Sequence, residues 1–313
     1  MKEKLGFRNN MDYSKFNFKR KFDLKEYQNY VQKLKECGAI EIEHVGRYLK
    51  YPIQRERVKE AIKIVHDLEM KAILYSGIFG TEDIRNNQNF VKYAQKNKEG
   101  KILSYGDMGE ITAMMCPSSE YVKQVVIPQI NHTLDYANYD GIFLDIPWIM
   151  YGGCFCDNCE PIRKEDKGNA EIVRKGLENF VQDIKKSFPN VKISVNASAP
   201  TIYNHDYHGA EMENLANLFD EYVTEWNPFR FNQNVQTVTR CITKAKELSS
   251  GKFYHATTCT DGKRKIYSAK KLGTLFSAIL KGGASPRLGV AFPIHQLDII
   301  KEAWSLALEN NRM

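Results

Sequence analysis

A chain of 313 residues with 42% hydrophobic content can bury a large core, as one big domain or two ordinary ones. Its seven cysteines are an odd number and its charged N-terminus lacks the apolar stretch of a secretory signal, so a reducing, cytoplasmic setting is expected. The net charge of +7 comes from lysines set beside glutamates along helical segments. That pattern is a solvated face, and no apolar run approaches the roughly 18 residues of a membrane span, so neither nucleic acid nor membrane is an expected partner.

Residues 1–23 read as an irregular basic N-terminal arm, and residues 24–313 as a single catalytic-type domain. A helix over 24–37 ends at Gly38, a suitable left-handed cap, and leads into a strand over 39–45. Further strands are predicted over 71–78, 111–116, 139–144, 191–196, 221–224, 252–257 and 287–292. Helical periodicity falls between them, over 54–68, 120–136, 170–187, 209–219, 235–248, 269–281 and 294–309. Eight buried runs alternating with helices predict an α/β fold, a (β/α)8 TIM barrel. The rival, a doubly wound open sheet, lacks its Gly-x-Gly-x-x-Gly after the first strand. Long connections over 80–110 and 147–169 would lie over the C-terminal mouth, where this fold builds its chemistry. A homo-oligomer is compatible with such a barrel, although the chain carries no association motif.

Cys154, Cys156 and Cys159 follow closely in a Gly-rich loop after the run Asp140-Gly-Ile-Phe-Leu-Asp145, and Cys116 ends an earlier apolar run. Thiolates at such spacing can converge on one soft cation, and tetrahedral zinc takes four of them at about 2.3 Å each. A structural Zn²⁺ held by Cys116, Cys154, Cys156 and Cys159 is therefore expected. Reduced thiols in a loop, or a disulfide between two of them, are the plainer readings.

Polar residues at the predicted strand ends would share one cavity. They are His44 and Arg47, Tyr75, Asp145, Asn196, Glu225 with Trp226, His255 and Arg287. Two carboxylates facing each other over an aromatic floor suit glycoside hydrolysis, in which one protonates the leaving oxygen and the other attacks or activates water. Asp145 and Glu225 are the candidate pair, with Trp148 and Trp226 placed to stack on sugar faces. The structural alternatives are a loop cap for Asp145 and an ion pair to Arg230 or Arg287 for Glu225. Two other functions fit the sequence: a non-catalytic carbohydrate-binding barrel, and a metal-dependent barrel hydrolase using two or more of His44, His205, His208 and His255 with Asp145.

The pairing of Cys116-Pro117 with Cys154-x-Cys156-x-x-Cys159 resembles the structural zinc site of family 42 β-galactosidases. It also resembles a group of hypothetical glycoside hydrolases in which Asp-Gly-Ile-Phe-Leu-Asp precedes such a cysteine loop. The resemblance covers about 111–226 with specific motifs, and implies a zinc ion pinning the long loop with no open coordination position. Family 42 enzymes carry an Asn-Glu acid/base after the fourth strand and a glutamate nucleophile after the seventh. Here the fourth ends Leu144-Asp145-Ile146-Pro147, and the stretch from His255 to Asp261 has no glutamate, so β-galactosidase activity does not carry over. Acid groups after strands four and six look more like retaining α-galactosidases, which implies Asp145 as nucleophile and Glu225 as acid/base.

Overall fold

The computed structural model describes residues 7–10, 23–44, 52–83, 88–104, 112–150, 152–164, 168–197, 209–225, 234–251, 253–257, 266–288 and 294–311. Ten strands are present among them: β1 Phe7–Asn10, β2 Ala39–His44, β3 Lys71–Gly77, β4 Thr81–Asp83, β5 Thr112–Met114, β6 Gly141–Asp145, β7 Lys192–Asn196, β8 Glu221–Glu225, β9 Phe253–Thr257 and β10 Ser285–Leu288. Eight pair in parallel and close into a barrel, in the order β1-β10-β9-β8-β7-β6-β3-β2. Parallel neighbours need crossovers, and helices supply them: α1 Leu24–Glu36, α2 Pro52–Asp67, α3 Ile127–Tyr136, α4 Glu160–Lys164, α5 Asn169–Ser187, α6 Met212–Leu215, α7 Val235–Leu248, α8 Ala269–Lys281 and α9 Leu297–Asn310. No helix among the described residues is long and apolar enough to cross a membrane.

Two strand assignments need correction. The segment predicted as a third barrel strand forms β5, which pairs antiparallel with β4 outside the barrel. Its place beside β3 is taken by β6, with Ile73 opposite Gly141 and Gly77 opposite Asp145. Conversely, the basic arm contributes β1, with Arg8 opposite both Glu41 and Arg287. Phe7-Arg-Asn-Asn has one apolar residue, so hydrophobic patterning could not reveal it; its pairing partners lie in distant segments. The two errors cancel, and β6 is still the fourth strand of the barrel.

The helices follow the sequence more closely. Asp23 caps α1 by accepting from the backbone N–H groups of Lys25 and Glu26 at 2.8 and 3.1 Å, and Tyr27, Tyr30, Val31 and Leu34 form its buried face. Gly38 has φ +100°, and a Cβ there would meet Trp304 Nε1 of α9 at 2.5 Å, so both backbone and packing call for glycine. The predicted helix 209–219 shrinks to α6. The helix over 120–136 opens instead as a π-helix, Val122–Val126, before α3. Pro128 has no N–H to donate to the preceding turn, which removes a regular helical bond at that junction.

Burial forms two layers. One large core lies between strands and helices, while Ile73, Phe143 and Val223, with Tyr75 against them, form a small cluster of their own inside the barrel. The bottom is tied by carboxylates. Asp140 Oδ2 accepts from Ala72 N at 2.8 Å, and Asp220 Oδ2 accepts from Ile193 N at 2.9 Å, each joining a strand's start to its neighbour.

Candidate functional site

The C-terminal end of β6 presents Asp145, whose carboxylate is held from three directions. Tyr75 O–H, from β3, donates to Oδ2, and Asn196 Nδ2, from β7, donates to Oδ1 at 2.9 Å. The backbone N–H of Ile146 also donates to Oδ1, at 2.8 Å. These donors come from neighbouring strands because period-two alternation sends Tyr75, Asp145 and Asn196 to the same face of the sheet. Burial, followed by the negative charge of Asp145, pushes the Tyr75 hydroxyl far above its ordinary range. Tyr75 thus remains a donor at any physiological pH. Ile146 has φ +55°, an unusual conformation for a β-branched residue, directly beside the carboxylate. The turn is secured by Ile78 N–H, which donates to the Asp145 carbonyl at 2.9 Å.

Below this network lies a buried ion pair. Arg287 of β10 donates Nε to Glu43 Oε1 of β2 at 2.7 Å and Nη2 to Oε2, and both residues are at most 2% exposed. Such a fork satisfies two charges that would otherwise be costly to bury. The guanidinium lies 4.2 Å from the Phe143 ring centroid, and that ring leans on Tyr75 at 5.8 Å between centroids. Glu43 was not among the sequence candidates. Its signal was present: Ala39-Ile-Glu-Ile-Glu-His places two glutamates on one face of a buried strand, which demands cationic partners.

The second centre is thiol-rich. Cys116, Cys154, Cys156 and Cys159 are buried, and their sulfurs lie within 4.8 Å of one another. Sγ–Sγ distances are 3.3 Å for Cys116–Cys159 and 3.4 Å for both Cys154–Cys156 and Cys116–Cys156. All four are free thiols, which removes the disulfide reading. A tetrahedron with metal–sulfur bonds of about 2.3 Å has edges of about 3.8 Å, so this set fits one four-coordinate ion after small outward shifts. Contacts with Cys116, Cys154 and Cys159 pull the Cys156 thiol far below its ordinary range.

The cysteine loop is anchored by groups the sequence reading passed over. Arg163 donates Nε to the Cys154 carbonyl at 2.6 Å and stacks on Phe155 at 4.3 Å. Gln95 is fully buried; its Nε2 donates to the Met115 and Trp148 carbonyls at 3.1 and 3.2 Å, and its Oε1 accepts from Met150 N at 2.9 Å. One amide therefore sews the connection after β3 to the loop after β6. In the sequence Gln95 is one more polar residue in a long connection, with no sign of this role.

Of the predicted site residues, Tyr75, Asp145 and Asn196 meet directly, and Arg287 reaches them through Phe143. Trp148 is half-buried beside the cysteine loop. The backbone places His44 and Glu225 at the ends of β2 and β8, and His255 opposite Thr224 and Pro286 within β9. Their side chains, and Arg47, Trp226, Arg230, His205 and His208, lie outside the described residues.

No protein-family model matches the sequence, and neither does any curated protein. Solved structures do resemble the fold. An α-L-fucosidase isoenzyme 2 from Paenibacillus thiaminolyticus matches with TM-score 0.69 and 15% identity over 98% of this chain, which spans 50% of that protein. The PgaB (BpsB) glycoside hydrolase domain from Bordetella bronchiseptica matches with TM-score 0.70 and 8% identity, covering 97% of this chain and 98% of that one. A β-galactosidase from the psychrophilic Marinomonas ef1 matches with TM-score 0.68 and 10% identity, covering 97% of this chain and 59% of that one. The likeness is one of fold. At these identities it carries no residue roles, and the Asp145 network stands on its own geometry.

Proposed function

We propose that the chain is a glycoside hydrolase-like enzyme of the (β/α)8 type, acting on a carbohydrate through Asp145 and Glu225. The observation that carries this reading is the triple donation to Asp145 at the mouth end of β6. A carboxylate that accepts Tyr75 O–H, Asn196 Nδ2 and a backbone N–H has its lone pairs engaged and is fixed in direction. That suits a nucleophile or a charge stabiliser for an oxocarbenium-like transition state, and it is the wrong environment for the proton donor. The donor role falls to Glu225. It is the last residue of the sixth barrel strand, two positions beyond Val223. The glycoside hydrolases of similar fold support a carbohydrate substrate.

Zn²⁺ is proposed at Cys116, Cys154, Cys156 and Cys159, where a closed four-thiolate site supplies structure and leaves no coordination position for catalysis. Those residues tie the mouth loops beside Asp145 and take no part in the reaction. The test is turnover of a panel of chromogenic glycosides by the wild-type chain, Asp145→Asn and Glu225→Gln. Each variant should remain folded and lose about two to four orders of magnitude in kcat. No turnover of any glycoside by the wild type, or near-full activity in either variant, would overturn the assignment.

A further inference from the structure

A groove of about 510 Å³ lies on the outer wall of the barrel, away from Asp145, between the π-helix, α4 and α5. Its size is that of a small-ligand site. Its walls are attached to the cysteine centre: Pro117 follows Cys116, Asn158 precedes Cys159, and both line the groove. Gly176 of α5 lets the two sides approach, since a Cβ there would meet the Pro117 carbonyl oxygen at 2.7 Å. The opposite rim is the π-helix, a rare element that is frequent at functional sites.

The lining defines a ligand class. Asn158, Asn179 and Gln182 bring three amides that spend no side-chain hydrogen bond among the described residues. Ser118 adds a hydroxyl that is buried and unpartnered. Charges balance, with Lys123 and Lys175 against Glu120 and Asp183, which favours a neutral ligand over a phosphate or a cation. Apolar surface comes from the partly exposed Ile162, above the buried Pro117 and Phe180. Amides, two carboxylates and a hydroxyl offer paired donors and acceptors to vicinal hydroxyls, while Ile162 offers an apolar contact for the C–H face of a sugar ring.

We propose that this groove is an accessory carbohydrate-binding site, separate from the mouth and held in shape by the four-cysteine centre. The ligand class agrees with the proposed function, but the site does not depend on hydrolysis. Isothermal titration of Asp145→Asn with cellohexaose, chitohexaose, xylohexaose and galactobiose tests it, because that variant blocks turnover at the mouth. At least one sugar should bind. The double variant Asn179→Ala/Gln182→Ala, added to Asp145→Asn, changes only exposed positions and should weaken that binding roughly tenfold or more. In an otherwise wild-type chain the same pair should leave kcat on a small chromogenic glycoside unchanged. Binding of none of the four sugars, or binding untouched by the double variant, would overturn the accessory site. Loss of hydrolysis in Asp145→Asn is a separate readout, so failure of one proposal leaves the other standing.

Discussion

Asp145 shows how a single carboxylate acquires a role from its neighbours. Tyr75, kept protonated by burial and by the adjacent negative charge, can only donate to it. Replacing Tyr75 by Phe removes one of three donors without changing the packing against Phe143. The expected result is a roughly ten- to hundredfold fall in kcat with an unchanged thermal midpoint, measured on the best chromogenic glycoside. Unaltered kcat would show that the Tyr75 hydrogen bond serves only the barrel's packing. Tyr75 and Asn196 were legible in the sequence as polar residues near strand ends. That they hold Asp145 was not, because three different strands must be brought into register before the contacts exist.

Among the elements, α5 links the cysteine turn to the outer wall. Its 19 residues carry an amphipathic pattern with Ile172, Val173, Leu177, Phe180 and Ile184 buried, so the helix itself was plain in the sequence. Gly176 was not singled out, since a glycine inside a helix costs stability and gives no hint of its neighbour. The structure supplies the reason: Pro117 O occupies the space a Cβ would take. Gly176→Ala is therefore expected to lower stability by about 1–3 kcal/mol despite the better helix propensity of alanine, read from chemical denaturation. A stabilised variant would mean that the Cys116–Pro117 turn moves aside easily. The strands β4 and β5 illustrate the opposite limit. The apolar run around β5 suits a barrel strand, yet β6 holds the edge of β3, and β5 pairs antiparallel with the acidic β4 instead.

For the whole molecule, the four-cysteine centre joins the connection after β3 to the one after β6, over the mouth of a closed barrel. Its proposed metal contributes folding free energy directly, because the unfolded chain has no preformed site. Elemental analysis of purified protein should give about one zinc per chain, and Cys156→Ser should lose it. Removal by a strong chelator should lower the thermal midpoint by several degrees, with recovery on adding Zn²⁺. Metal-free protein with the same thermal midpoint as the loaded form would reject the structural role.

The sequence by itself determined the alternation of strands and helices, the clustering of cysteines and the carboxylate at the end of the fourth barrel strand. These are local properties, written in hydrophobic period and in spacing along the chain. Tertiary structure decided everything that depends on partners distant in sequence. Phe7–Asn10 is a strand because β2 and β10 offer open edges on both sides, and its own residues carry little signal. Glu43 is buried because Arg287, 244 residues away, meets it with a matching fork of donors. Gln95 is structural because the loops after β3 and β6 both present carbonyls to it. In each case the deciding term is the cost of leaving a buried polar group or a sheet edge unpaired, and that cost appears only once the chain has closed.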